Sequence, residues 1–537
     1  MGRSHDYLYD NWKKLLSAVA LMRIFVDTRA KRYTPGVTMQ ALELLKNRLA
    51  TITDINLANS ILYWDQATML PMDGSDQRGR QIATLTKISH DMFIAKDTGD
   101  LIDQLLPWAS SQPEPSTDAI LIREAKRQRD LEVKVPSELN AEISELYSKL
   151  YTAWTIAKPK NDFKTVQPLL ERAIELNLKF ADCFSGCDHP MDALIQFGDR
   201  GVTVKSTRDM FAKLREQLIP LVKKVSAAKQ IDSSCLTGDF SKDAQLKFCK
   251  LVAEGLGYEF KRGRMDLSPH PFMTRLSGGD VRITTRVREG DMTDCLFSVI
   301  HEVGHALYEL GISPSLDGNI LGGGVSSGVH ESQSRLWENR VGRGKPFWDF
   351  FYPKLQSAFP HFETVGQDKF LRAINKVEPG LIRVDADELT YNLHVMIRFD
   401  LECQLMERRL KVTDLPEAWN ARYKSDLDLT VPDMARGCMQ DVHWFSGRLG
   451  YFQGYTIGNI LSAQFYDAAA KANAGMELDF AQGDFSKLKQ WLNKELHQYG
   501  SMFSPDDVVK KATGQSMTID PYMSYLEHKY SSLYSIR

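Results

Sequence analysis

The chain has 537 residues, 43% of them hydrophobic and 25% charged, with 67 Lys and Arg against 69 Asp and Glu. A net charge of −2 excludes the basic footprint that nucleic acid would demand of a main partner, and no apolar run reaches the roughly 18 residues of a membrane span. Seven scattered cysteines, an odd number, point to reduced thiols in a cytoplasmic protein and not to a disulfide framework.

Residues 1–38 hold seven Lys and Arg, three Asp and a short apolar run at 15–22. Asp6, Asp10 and the lack of an A-x-A cleavage site weigh against a transit or signal segment. From residue 40 to about 260 apolar residues recur at helical spacing; the stretch 166–180, with Leu169, Leu170, Ala173, Ile174, Leu176 and Leu178, is one predicted amphipathic helix. The basic stretch 123–129 contains Glu124 and reads as a solvated helix face. Cys183, Cys187 and His189 have incomplete metal spacing with no matching pair, so no second metal site is expected there. Strands are predicted near 272–276 and 281–287, around Ser277-Gly278-Gly279-Asp280. No Pro/Gly/Ser-rich linker or low-complexity segment divides the chain, which favours one large helical domain.

His301-Glu302-Val303-Gly304-His305 carries the densest chemistry. On a helix the two imidazoles lie one turn apart on one face and reach the same ion. Glu302, beside the first histidine, is placed to act as general base and proton donor for a metal-activated water. Asp291 or Thr293 can cap this helix, Leu296, Phe297, Ile300, Ala306 and Leu310 surround it with apolar surface, and Gly311 can stop it. Imidazoles buried in such a helix need partners, and a divalent ion is an efficient one.

A third histidine in the metzincin arrangement is excluded, because Tyr308 and Gly311 occupy the positions that pattern needs for Gly and His. The remaining source is a carboxylate on a second helix. Glu331, in His330-Glu331-Ser332-Gln333-Ser334, follows the turn-forming Gly322-Gly323-Gly324, with Ser326 or Ser327 to open a helix running through Arg335 and Trp337. Its alternative role is a helix-start carboxylate facing the dipole. Glu338 is the weaker competitor, and Glu309 lies too close along the first helix. His301, His305 and Glu331 as ligands would leave one coordination position open, as in catalytic zinc sites, and cobalt suits the same donors.

Beyond this pair of helices the chain resembles carboxypeptidase Taq, the thermostable-type zinc carboxypeptidases of bacteria, archaea and kinetoplastid protozoa. The resemblance rests on HEVGH, on His330-Glu331-Ser332-Gln333, on His270-Pro271-Phe272 and on Asp280-Val281-Arg282-Ile283-Thr284-Thr285-Arg286. Further along it rests on Ile382-Arg383-Val384-Asp385-Ala386-Asp387, Gln440-Asp441-Val442-His443-Trp444 and Gly450-Tyr451-Phe452-Gln453-Gly454-Tyr455. Tyr63-Trp64-Asp65-Gln66 near the start belongs to the same pattern. It covers residues 39–537 as one metallocarboxypeptidase domain and leaves 1–38 as an extension, with translation expected to start at Met39.

The resemblance implies a mainly α fold, a helical zincin related to neurolysin and angiotensin-converting enzyme, with a deep groove and a small β-sheet beside the zinc helix. It implies Zn2+-dependent removal of residues from peptides with a free C-terminus, and a homodimer. Arg383 is the implied carboxylate-binding cation, with an ion pair to Asp385 or Asp387 as its alternative role. His443 and Tyr455 are implied to stabilise the oxyanion, with Tyr451 left open as a substrate contact, and His270 is implied to line the groove. Departures at Gln453-Gly454 and Val384-Asp385 touch no ligand. An edge strand could add an extended substrate to the sheet. Two other functions compete: an endo-oligopeptidase on the same groove, and a catalytically silent peptide-binding scaffold.

Overall fold

Helical periodicity becomes helix throughout the residues that the computed structural model describes, 35–536, with a single small sheet between residues 265 and 285. The apolar run at 15–22 lies outside these residues. Helix Pro35–Thr68 passes through Met39. Helix Phe163–Asp182 is longer than predicted at both ends: Asp162 accepts the Thr165 amide at 3.3 Å, and Val166, Leu170, Ala173, Ile174 and Leu176 are buried.

The basic stretch 123–129 is not the solvated face expected. Its charged side chains are half-buried within helix Thr117–Glu132, where Arg127 grips buried Glu124 at 2.6 and 2.9 Å. Arg129 donates to the Ile94 carbonyl at 2.8 Å, tying two helices together. Its Nη2 also donates to the Ala95 carbonyl at 3.2 Å.

The sheet has three strands in the order β1-β3-β2. β2 (Met273–Ser277) and β3 (Asp280–Thr285) are the predicted hairpin, antiparallel with an irregularity between Arg275 and Ser277. β1 (Met265–Leu267), unpredicted, pairs parallel to β3; three residues with Asp266 at the centre carry no alternating apolar signal. The sheet holds the N-terminal layer through Trp64, buried with the Arg264 and Arg282 guanidiniums 5.0 and 4.4 Å from its ring.

The motif helix, Met292–Gly311, starts where predicted, with Asp291 accepting the Thr293 amide at 2.9 Å. Leu296, Val299, Ile300, Val303, Ala306 and Leu307 bury almost its whole circumference. The ligand helix, Ser327–Arg335, is capped by Ser326 and runs directly into a π-helical turn, Leu336–Val341. These two helices touch at Gly304, where an added Cβ would lie 2.6 Å from the Gln333 carbonyl oxygen. Only a residue without a side chain permits that approach, which brings the histidines within reach of Glu331.

Candidate active site

His301 and His305 project from one face of the motif helix with ring centroids 4.9 Å apart. Glu331 Oε2 completes the cluster, 3.6 Å from His301 Nε2 and 3.4 Å from His305 Nε2. One donor atom from each of the three residues falls within 4.8 Å of the others, a spacing compatible with a single ion. The hydrogen bonds behind the cluster fit a metal equally well. His301 Nδ1 donates to Glu338 Oε2 at 2.9 Å, which turns the Nε2 lone pair inward. His305 Nδ1 lies 2.6 Å from His330 Nδ1, and His330 Nε2 lies 2.9 Å from Glu309 Oε1. With every proton in this chain directed toward the carboxylate, His305 also presents a bare Nε2.

Electrostatics favour the binding forms of His305 and Glu331, whereas at His301 the Glu331 and Glu338 carboxylates outweigh burial and raise the pKa. Burial, with His330 close by, pushes His305 down to about 3, so the ring is neutral. Burial opposes ionisation of Glu331, but Arg335 and His301 override it and hold the carboxyl well below its usual range. Arg335 Nε takes Glu331 Oε1 at 2.8 Å, leaving Oε2 to face the histidines. Its Nη1 reaches Glu338 at 3.1 Å; burial opposes ionisation there, but Arg335 and His301 override it and bring Glu338 down to about 2. Glu338, the competing ligand, therefore orients His301 from behind. Glu302 is 6% exposed, accepts no hydrogen bond among the described residues, and burial pushes its pKa up to about 7.

A second group lies around Arg383, buried on the turn before helix Tyr391–Met406. Its expected alternative partners were Asp385 or Asp387; the ion pair is with Asp441 instead, through Nε and Nη2 at 3.0 and 2.8 Å. Asp387 is committed to capping, accepting the amides of Leu389 and Thr390. Arg398 Nε binds the other Asp441 oxygen at 2.5 Å, and Gln440 Oε1 accepts from Arg398 at 2.7 Å. Arg383 Nη1 donates to the Tyr391 hydroxyl at 2.9 Å, and Tyr391 lies under the Arg335 guanidinium at 4.5 Å. The third ligand's clamp and Arg383 thus share one aromatic ring.

His443 Nε2 lies 3.1 Å from the Tyr455 hydroxyl, and the Arg383 guanidinium is 5.1 Å from the Tyr455 ring. Tyr451 packs alongside, its ring 5.9 Å from Tyr455. His270 stands apart: it is exposed on the loop between β1 and β2, its Nδ1 2.8 Å from the Pro271 carbonyl oxygen, without contact to the cluster. His330, Arg335, Glu338 and Asp441 escaped assignment as orienting groups, because the sequence marks a carboxylate or guanidinium but not which distant partner it meets. Cys183 and Cys187 are free thiols, and His189 caps a helix and contacts Glu407 at 3.1 Å.

The segment bearing His443 is anchored by Glu402, fully buried, which accepts the Trp444 indole N–H at 2.8 Å and the Gly450 amide at 3.4 Å. Burial pushes its carboxyl up to about 8, the Trp444 and Gly450 hydrogen bonds and the Arg398 charge offsetting only part of the cost. Between about pH 4.5 and 8 the unfolded chain ionises this group while the folded chain keeps it protonated, so it drains stability as pH rises. That loss reaches about 5 kcal/mol in the limit of an unrelaxed site. Glu402→Gln removes the titration and keeps an acceptor for the indole. Its melting temperature relative to the wild type is expected to climb between pH 5 and 8; thermal melts giving a pH-independent difference would refute this.

The family model described as Carboxypeptidase Taq (M32) metallopeptidase matches residues 44–530. The chain is 39% identical over 488 residues to carboxypeptidase 1 of Bacillus subtilis, covering 90% of this chain and 97% of that protein. The crystal structure of an M32 carboxypeptidase from Deinococcus radiodurans R1 superposes with a TM-score of 0.90 at 43% identity, over 92% of this chain and all (100%) of that one. Trypanosoma cruzi metallocarboxypeptidase 1 gives a TM-score of 0.87 at 31% identity, over 92% and 99% of the two chains. With a buried His-His-Glu cluster oriented from behind and whole-length relatives on all sides, the chain belongs to the carboxypeptidase Taq (M32) family of zinc metallopeptidases.

Proposed function

We propose how this metallocarboxypeptidase divides its chemistry among its own residues: Glu302 moves the proton, His443 and Tyr455 serve the oxyanion, and Arg383 reads the substrate's terminal carboxylate. His301, His305 and Glu331 would hold zinc, which would supply a Lewis acid for the scissile carbonyl and lower the pKa of water. Glu302, without a hydrogen-bond partner among the described residues and with its pKa raised by burial, is suited to take a proton from water and return it to the leaving amine.

Burial and the Arg383 charge push His443 down to about 3, so the ring is neutral. Its Nδ1 is buried without a partner. A bare lone pair is tolerated there more cheaply than an unpaired N–H, which favours the proton on Nε2. Nε2–H then donates to the Tyr455 oxygen and leaves the phenol proton free to point at a developing oxyanion. Burial raises the Tyr455 pKa, keeping that proton in place.

The observation carrying the carboxylate assignment is a charge imbalance. Two guanidiniums, Arg383 and Arg398, share one carboxylate, Asp441, and burial makes the residual positive charge costly until an anion arrives. A peptide's free C-terminus supplies one. Mass spectrometry of products from a peptide and its C-terminal amide, each with and without chelator, tests this. The wild type is expected to release single residues from the acid only. Arg383→Met, which leaves Asp441 paired to Arg398, is expected to lower kcat/KM on the acid by about 100-fold or more. Internal cleavage of the amide would favour the endo-oligopeptidase, and a variant that still prefers the acid would remove Arg383 from the role.

A further inference from the structure

Glu331 and Tyr455 stand near the start of two different helices, the ligand helix Ser327–Arg335 and the tyrosine helix Gln453–Ala472. Between those two N-termini lies one carboxylate, Asp199, 2% exposed and just past the end of helix Pro190–Gly198. Its Oδ1 accepts the Gly328 amide at 2.7 Å, inside the first turn of the ligand helix. Its Oδ2 accepts Gln453 Nε2 at 3.3 Å, at the first residue of the tyrosine helix. The Ser326 hydroxyl caps the ligand helix beside it, accepting the Val329 amide at 3.2 Å.

The fit around this carboxylate is close on both sides. A Cβ on Gly328 would meet Asp199 Oδ1 at 3.2 Å and Ile457 Cγ2 at 2.4 Å. A Cβ on Gly454 would meet Asp199 Oδ2 at 2.9 Å and Ser327 Cβ at 3.3 Å. No Lys or Arg pairs with Asp199 among the described residues; burial raises its pKa, and the Gly328 amide and the Gln453 side chain offset only part of that cost. An ordinary cap would need neither burial nor two helices, and Ser326 already caps one of them. Gln453 spends its amide on Asp199 and on the Gly450 carbonyl at 2.8 Å, linking the same carboxylate to the loop that follows His443.

We infer that Asp199 is a positioning residue that sets the third zinc ligand and the oxyanion tyrosine in register by pinning the N-termini of both helices to one carboxylate. This rests on the roles given above to Glu331 and Tyr455. Asp199→Asn keeps the volume but turns N–H toward one of the two donors, so the two helices can no longer be satisfied together. Its zinc dissociation constant, from competition with a chromophoric chelator, is expected to weaken about 10- to 100-fold, and kcat at saturating zinc to fall about tenfold.

Gln453→Ala cuts only the tyrosine-helix arm. It is expected to lower kcat severalfold and leave zinc affinity within twofold. Folding is checked by circular dichroism and thermal melts, with all assays run well below the transitions. A folded Asp199→Asn with wild-type zinc affinity and kcat overturns the inference; if that variant does not fold, an unchanged kcat in Gln453→Ala does so. Tyr455→Phe, run in parallel, separates the two ideas. If it loses activity while Asp199→Asn does not, only the positioning role fails. If Tyr455→Phe is silent, the oxyanion reading fails, and zinc affinity alone decides for Asp199.

Discussion

Glu302→Gln is expected to retain zinc at wild-type stoichiometry and to lose about 10⁴-fold in kcat. The carboxylate makes no hydrogen bond among the described residues, so the amide breaks none. The groups that orient the ligands lie elsewhere: Glu338 behind His301, His330 behind His305, and Arg335 behind Glu331. Side-chain volume is conserved and the neighbouring rings keep their positions. What disappears is a base able to take a proton and give it back, because an amide can do neither near neutral pH. Burial raises the Glu302 pKa, which favours return of the proton to the leaving amine. Metal content by mass spectrometry after gel filtration, together with single-turnover rates, checks both halves. A zinc-loaded variant within tenfold of wild-type turnover would reassign the proton transfer.

The HEVGH helix was legible because its chemistry is local: two imidazoles one turn apart and an apolar surround are written in a few consecutive positions. Glu331 was legible by a different logic, as the carboxylate left once a third histidine was excluded and Gly322-Gly323-Gly324 let the chain return. The hydrogen-bond chain from His305 to His330 to Glu309 was not, because those contacts depend on how two helices cross at Gly304. Arg383 marks the same limit. Neighbouring aspartates at 385 and 387 were the natural partners by sequence, yet Asp387 is used as a cap and the pair forms with Asp441. Among 67 Lys and Arg, only packing selects which guanidinium is left with unbalanced charge. Residues 123–129 failed for a related reason: charge predicts a wet surface, whereas Glu124 and backbone carbonyls drew those side chains inward.

That dependence on helix crossing makes Gly458 the most sensitive position without a functional group. It sits on the tyrosine helix, where an added Cβ would lie 2.5 Å from Glu331 Cγ and 2.6 Å from Glu331 Cβ. Glu331 cannot step aside, since Arg335 holds Oε1 at 2.8 Å and Ser334 donates to Oε2 at 3.1 Å. Gly458→Ala must therefore part the helices or rotate the third ligand off its axis, at about 1–3 kcal/mol of overpacking. Helix propensity alone argues the opposite, favouring Ala over Gly by about 1 kcal/mol, so the sign of the effect is diagnostic. Zinc affinity is expected to fall at least about 100-fold with activity falling alongside, and the melting temperature to drop. Gly79→Ala is the matched control, since Gly79 lies within helix Ser75–Ile94 and its added Cβ meets nothing within 4 Å. It should gain stability and leave zinc binding unchanged. Chelator competition and thermal melts on both variants decide the matter: a Gly458→Ala protein that binds zinc as tightly as the Gly79→Ala control would show that Glu331 does not depend on this crossing.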